Sequence, residues 1–355
     1  MTSLVSVLLL TATDPRLYDD AAAGTMVDLP RAVCLAYQRD GGGALRRRVS
    51  DWSGPLYDEL VADSSACVSC AVRADLPEAV QFLASQERWS CVVAVAPATV
   101  APQPLAQALQ QAIDDGSAPD VVLAPVVAFV AIDELEHDLL GDDLLDERGL
   151  ALSATDRRSV GESLVAQIEY ADVVVAMGEP GSPRPLSLLR AVCAESTAVH
   201  AGWSTLDVFA LVGSQHDQDA ARTRVHPMNV PPVRGTEDPD VWTLDLASPR
   251  PLDPELLLQR IDELGTGQIR ARGYFWLASR PEVACVWDAS GGQLSIGVYG
   301  GWEGRMPATR LVVTGTQEAD RDRIAAAFPD VCLTEPGQVG RSWRDGQDGF
   351  EPWLG

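Results

Sequence analysis

The sequence predicts an open, mostly parallel α/β sheet followed by a small α+β domain. Three observations carry this. Through the first two thirds, short apolar runs alternate with helical patterns, the rhythm of a parallel sheet covered by helices on both faces. The stretch 213–239 is then polar, holds His216 and His226 with Pro227, Pro231, Pro232 and Pro239, and reads as a linker. Beyond it the apolar runs are separated by turn residues, as in an antiparallel sheet. The expected boundaries are 1–235 for the α/β domain and 240–355 for the α+β domain.

The elements follow in order. Leu4–Leu10 is apolar apart from Ser6, as a strand buried on both faces must be. Ala32–Tyr37, Cys91–Ala96, Val121–Val130 and Val173–Met177 read the same way. Between them lie helical patterns at Leu76–Ser85, Leu105–Ile113, Ser163–Ile168 and Leu186–Ala194. Asp133–Thr155 is acidic and reads as an exposed loop. After the linker come a strand at Val241–Leu246 and a helix at Pro254–Leu264 with proline in its first turn. Strands at Gly273–Ala278, Ala284–Trp287, Leu294–Tyr299 and Arg310–Thr314 and a helix at Asp320–Phe328 complete the domain. The turn Ser290-Gly291-Gly292 separates two of the strands. The aromatic tail from Gly340, with Trp343, Phe350 and Trp353, is expected to fold back onto its own sheet.

Composition narrows the function. The chain has 355 residues and a net charge of −24, which repels phosphate backbones and argues against direct nucleic-acid binding. Local basic spots occur at Arg46-Arg47-Arg48 and at Arg270, Arg272 and Arg280, where an acidic protein could dock. The seven cysteines are scattered, mostly inside apolar runs, the pattern of reduced thiols in a cytoplasmic protein. No apolar run reaches the length of a membrane span, so no membrane partner is expected. No serine lies in a nucleophile-elbow context, and no catalytic residue is assigned. All 27 basic residues are arginine; there is no lysine.

Three segments resemble the CobW-type P-loop GTPase family. Cys67-Val-Ser-Cys70-Ala-Val-Arg73-Ala-Asp75-Leu76 is similar to a Cys-x-Cys-Cys motif followed by Arg-x-Asp-Leu, with Ser69 at one cysteine position. Arg270-Ala-Arg272-Gly273-Tyr-Phe-Trp276-Leu is similar to the Arg-x-Lys-Gly-aromatic-x-Trp-Leu strand of the family's C-terminal domain. Gln167-Ile-Glu-Tyr-Ala171-Asp172 resembles the helix-to-strand step before the guanine-reading motif. The resemblance implies a P-loop-type sheet, GTP and zinc as ligands, and a CobW C-terminal domain.

The departures fall on the nucleotide site. Thr11-Ala-Thr-Asp14-Pro-Arg16 follows the first strand without a glycine, whereas a phosphate cradle needs flexible successive amides. A P-loop also needs a lysine between the β- and γ-phosphates, and a planar guanidinium does not replace that point charge. Pro97-Ala-Thr99 stands where the family places a magnesium-side glutamate, and Ala176-Met-Gly178-Glu179 where it reads guanine. Glu179 is weighed as a mimic of the base-reading acid, against the plainer reading of a solvated side chain. Bound GTP or GDP and its hydrolysis are therefore not expected of a standard site. The combination is similar to the actinobacterial branch that recruits a ribosome hibernation factor under zinc limitation. It implies a zinc-linked adaptor whose partner is a hibernation factor or ribosomal protein, with a zinc metallochaperone or a GTP-binding protein of the CobW family as the alternative.

Two candidate sites follow. Cys67 and Cys70 have the spacing of half a zinc site, against the alternative of a relic turn with free thiols. Arg270 and Arg272 share parity on one strand and would rim a partner-binding sheet face. The alternative is that they pair with this acidic protein's own carboxylates.

Overall fold

The computed structural model describes residues 4–39, 43–61, 67–230, 235–333 and 348–355. Pro231, Pro232, Trp343 and the tail stretch 340–347 lie outside the described residues. Internal contacts divide the chain into two units. The first takes in Met1–Leu135, Leu144–Pro180 and Glu195–Arg222; the second, Glu136–Asp143, Gly181–Ala194 and Thr223–Gly355.

The first unit is built on β1 (Val5–Ala12). Val7, Leu8, Leu9 and Leu10 have at most 1% of their surface exposed, so neither face of this strand reaches water. It pairs in parallel with β5 (Cys91–Val95) on one side and with β6 (Val121–Leu123) and β7 (Val127–Ala131) on the other. The expected single strand 121–130 is thus two: Pro125 has no amide hydrogen, and β6 and β7 take different lengths of β1. Outward from this centre lie β2 (Ala32–Arg39), parallel to β5, and β8 (Val173–Met177) and β9 (Ala198–Ala201), parallel to β7 and to β8. β3 (Leu45–Asp51) and β4 (Gly54–Leu60) extend the sheet antiparallel from β2, and β4 ends it among the described residues.

Helix α1 (Arg16–Asp28) follows β1, α2 (Val68–Ala84) precedes β5, and α3 (Pro102–Asp114) follows β5. The acidic stretch 133–155 is not all loop. It contains α4 (Leu135–Leu140), because Leu135, Leu139 and Leu140 give it an apolar face that is buried. Helix α5 (Val160–Ile168) opens with a capping box: Ser159 Oγ accepts from Glu162 N at 3.0 Å, and Glu162 Oε2 accepts from Ser159 N at 2.7 Å. Helix α6 (Arg184–Val192), expected in the α/β alternation, belongs to the second unit. Ser187 Oγ there accepts from Asp238 N, and Arg184 and Arg190 pair with Asp240 and Glu237. Short α7 (Val208–Val212) and α8 (Gln218–Val225) follow β9.

In the second unit, β10 (Trp242–Ser248), β11 (Ile269–Phe275), β12 (Val283–Ser290), β13 (Gln293–Gly301) and β14 (Thr309–Gly315) form an antiparallel sheet in the order β10-β14-β11-β12-β13. Gly291 and Gly292, at φ 57° and 69°, supply the left-handed pair that a two-residue hairpin needs. Helices α9 (Pro254–Gly265), capped by Asp253, and α10 (Glu318–Val331) bury Leu257, Leu264, Ile324 and Phe328 against Ile269, Ala271 and Phe275.

The opposite face carries Tyr274, Trp276 and Tyr299 packed against Met228, Ala284 and Trp302. Met228 belongs to the stretch expected as a linker, which instead holds α8 and a strap across this face. Its carbonyls are caught by arginines of the sheet and of its β13–β14 loop: Arg224 O by Arg272 at 2.9 Å, Met228 O by Arg305 at 2.9 Å and Val230 O by Arg310 at 3.3 Å. A polar, proline-bearing sequence reads as a connector because its partners are backbone acceptors that carry no side-chain signal.

Residues 348–355 fold back, as expected of the tail. Phe350 is fully buried and Leu354 nearly so, in a four-residue helix α11 (Glu351–Leu354). Arg280 binds the Asp348 carboxylate at 2.8 Å and the carbonyls of Leu354 and Gly355.

Two predictions follow from this unit. Gly273 sits at φ 154°, and a Cβ there would lie 2.0 Å from Arg310 O on the neighbouring strand. Gly273→Ala should therefore cost on the order of 3 kcal/mol in thermal unfolding, and an unchanged melting temperature would count against this register. Burial pushes the Asp348 carboxyl up, but hydrogen bonds from Arg280, Ser279 and Phe350 N outweigh it and hold the group at about 2, below the ordinary 3.8. Its stabilising contribution is present above pH 4 and is lost as the pH falls towards 2. Asp348→Asn should lower the melting temperature at neutral pH and bring the two proteins together at pH 2.

Candidate functional site

In an open parallel sheet, ligands bind beyond the carboxyl ends of the strands. In the first unit those ends are Ala12, Val95 and Met177, on β1, β5 and β8. Only Thr13, Asp14 and Pro15 separate β1 from α1, too few to wrap a phosphate group. Asp14 takes the place of an anion: its carboxylate accepts from Arg16 N at 2.9 Å and from the Arg16 guanidinium. Burial raises the Asp14 pKa, yet the hydrogen bonds and charge of Arg16, with Arg148 behind, hold the carboxyl below its usual range. A helix N-terminus that favours anions is thus already served by a carboxylate of its own chain.

Gln167 locks this turn in place. Fully buried, it donates from Nε2 to Ala12 O at 3.1 Å and accepts at Oε1 from Thr13 Oγ1 at 3.1 Å. The sequence marked Gln167 only as part of a motif; its clamp on a turn 154 residues away is visible only in the fold.

The turn after β5 is closed as well. Thr99 is buried at φ 67°; its hydroxyl donates to Leu150 O at 3.2 Å, and its carbonyl accepts from Arg158 at 3.0 Å. No carboxylate occupies the Pro97-Ala-Thr99 turn. After β8, Gly178 is left-handed at φ 98° and Glu179 is exposed, with no partner for its side chain among the described residues. A cleft of about 590 Å³ remains beside Pro15, Val95 and Pro97, walled by Tyr37–Arg39 and 149–152. Arg39 is turned onto the carbonyls of Gly43, Ala151 and Leu152.

The cysteine pair stands at the same end of the sheet. Gln81, near the C-terminus of α2, reaches Asp120 just before β6 at 2.8 Å, so α2 descends towards the strand starts. Its N-terminus therefore lies at the strand ends, with Cys67 as N-cap and Cys70 one turn in. Cys67 Sγ accepts from Cys70 N at 3.2 Å, and the two sulfurs are joined as a disulfide. This corrects the expectation that every cysteine is a reduced thiol. Placement at the N-cap and one turn into the same helix brings the two sulfurs together.

The other five, Cys34, Cys91, Cys193, Cys285 and Cys332, are buried and form no disulfide. Burial pushes the Cys34, Cys91 and Cys285 thiols up to about 12. Chemically available sulfur is thus confined to the Cys67–Cys70 turn. Reduced, this pair would offer two thiolates, half the ligand set of a tetrahedral zinc site. Among the described residues no three His, Cys, Asp or Glu side chains converge to complete such a set.

The expected arginine-rimmed face is not open. Arg270 is 3% exposed and binds Asp288 and the carbonyls of Ala271 and Ala289. Arg272 is turned onto the strap at Arg224 O and His226 O. Parity does place both on one face of β11, but that face is covered by the chain's own strap. Arg46, Arg47 and Arg48 on β3 likewise meet Asp58, Glu59 and Asp75.

These features define a mostly parallel α/β sheet without a glycine-rich phosphate loop, followed by an antiparallel α+β domain. Residues 241–332 match the model of the "Cobalamin synthesis protein cobW C-terminal domain", so the chain carries a CobW C-terminal domain. Over 357 residues the chain is 26% identical to a protein from Mycobacterium tuberculosis named as a zinc chaperone, covering 94% of this chain and 85% of the relative. It is 23% identical over 262 residues to the zinc-regulated GTPase metalloprotein activator 1 of Dictyostelium discoideum, covering 69% of this chain and 55% of that one. Among solved structures it is similar to the Zn(II)-bound YjiA GTPase of E. coli, with 13% identity and a TM-score of 0.38 over 93% of this chain and 100% of the other. No helix among the described residues is long and apolar enough to cross a membrane.

With Asp14 against the helix terminus and no lysine to bridge phosphates, GTP with Mg²⁺ should be hydrolysed no faster than in buffer. Phosphate release that scales with protein concentration through successive purification steps would overturn this.

Proposed function

We propose that this chain is a zinc-handling protein of the metallochaperone type, working without standard P-loop hydrolysis. The observation that carries the reading is the pair Cys67 and Cys70, the available sulfurs of the chain, at the N-terminus of α2. The Mycobacterium relative named as a zinc chaperone supports it. It takes precedence over the ribosomal adaptor reading, because the relatives' names speak of zinc and of metalloprotein activation.

The chemistry is that of a carrier. Reduction of the disulfide takes up two electrons and two protons and frees two thiols; zinc then displaces the protons as the thiolates bind. Two thiolates leave two coordination positions for water or for ligands of a client protein. An open shell of this kind suits transfer, since incoming ligands attach before the outgoing sulfurs leave. Ser69 contributes a hydroxyl where the resembling motif has a third thiol, and a hydroxyl is a poorer zinc ligand.

Reduced protein should bind one Zn²⁺ in competition with a chromophoric chelator. Cys67→Ser and Cys70→Ser should each weaken it at least about tenfold, since loss of a mere outer-shell partner already costs that much. The disulfide form should bind no zinc until a reductant is added. Equal zinc affinity in the double serine variant would overturn the reading.

A further inference from the structure

The outer strand β4 and the neighbouring helix α2 enclose a second cavity of about 400 Å³, away from the phosphate-loop end of β1. Its floor is Leu35, Val49 and Leu83, and its mouth is framed by Tyr57 and Phe82, whose rings meet edge-on at 6.3 Å between centroids. Both rings face water, at 42% and 51% exposure, and Trp52 and Leu60 at the two ends of the same hairpin are 69% and 64% exposed. Large apolar side chains gathered on one edge mark an interaction surface more than isolated ones do.

The strand beside the cavity has a hydrogen-bonded neighbour on one side only among the described residues, β3. A terminal strand seven residues long offers backbone donors and acceptors to an added strand. Charge decides what kind of strand. The cavity is lined by one guanidinium, Arg47, against the carboxylates of Glu59, Asp75 and Glu78. Arg47 is already bound by Glu59 at 2.6 Å and Asp75 at 2.9 Å, which leaves Glu78 exposed at the mouth without a partner among the described residues. A second copy of this chain would bring another −24 charges to the same edge.

We infer that the β4 edge is a docking site for an extended, basic segment of another protein. The segment adds as a strand to β4 and lays one arginine or lysine side chain into the cavity. There the aliphatic stem packs on Tyr57 and Phe82, and the cationic head reaches Glu78. Cys70 and Glu78 lie on the same helix, eight residues and so about 12 Å apart, which puts a docked partner near the cysteine turn. The surface stands whether or not the cysteines carry zinc, and its test uses metal-free protein.

The test is fluorescence anisotropy of a labelled, end-blocked hexapeptide of alternating valine and arginine. The alternating valine–glutamate peptide and an alanine–arginine peptide of helical pattern serve as controls. The valine–arginine peptide should bind best, and Tyr57→Ser with Phe82→Ser should weaken it about tenfold. Glu78→Gln should weaken it about threefold and reduce its salt dependence, with the melting temperature of the exposed-site variants unchanged. Absence of binding, equal binding of the glutamate peptide, or indifference to both sets of substitutions would overturn the proposal. So would a dimer in sedimentation equilibrium that the Tyr57 and Phe82 substitutions dissolve, since the edge would then belong to a second copy.

Discussion

The first unit depends on a strand that water cannot reach from either side. β1 is parallel-paired on both edges and buried on both faces, so helices must cover the sheet above and below. Each parallel connection must then cross from the end of one strand to the start of the next. The turns after β1, β5 and β8 and the start of α2 consequently gather at one end of the sheet. In a phosphate-binding protein that end would hold the ligand. Here the turns after β1 and β5 are answered from within: Asp14 by Arg16, Thr13 by Gln167, and Thr99 by Leu150 and Arg158.

This self-satisfaction has an electrostatic logic. A parallel sheet followed by helix N-termini presents unpaired amides whether or not phosphate is present. Once lysine and glycine are gone, those amides still need acceptors, and a short aspartate in the turn supplies one at no assembly cost. The same economy governs the arginines. In a chain with 51 acidic residues, guanidiniums that could face a partner are drawn to internal carboxylates, or to carbonyls where the backbone offers them. Arg270 and Arg310 take both courses, on Asp288 and Asp245 and on carbonyls, while Arg272 and Arg305 reach carbonyls of the strap. The strap across the C-terminal sheet is a consequence: planar forks with several donors hold a segment that has few apolar anchors of its own besides Met228 and Val230.

The cysteines divide along the same line of burial. Five thiols serve as small apolar side chains, and desolvation makes ionisation costly. The remaining two sit where helix geometry brings sulfurs together and the terminal amides favour negative charge. Reactivity is thus localised by the fold to one turn, although the sequence scatters cysteine over most of its length.

How much was legible follows from the kind of signal each feature emits. Uninterrupted apolar runs announced β1, β2, β5 and β8 almost to the residue, because a strand buried on both faces tolerates no charge. Gly291-Gly292 and Pro254 marked a hairpin turn and a helix start for a similar local reason, whereas the strand expected at Gly273–Ala278 lies at Ile269–Phe275. The missing lysine, with a turn after the first strand that holds no glycine, argued against a standard phosphate site from the sequence alone. The tertiary structure decided what no local pattern encodes. It buried Arg270, turned a polar connector into a strap, clamped the β1–α1 turn with Gln167 and joined Cys67 to Cys70. These are pairings between side chains and distant backbone atoms or charges. Every residue offers the same carbonyl to the chain, so only its placement in space selects which one an arginine or glutamine will find.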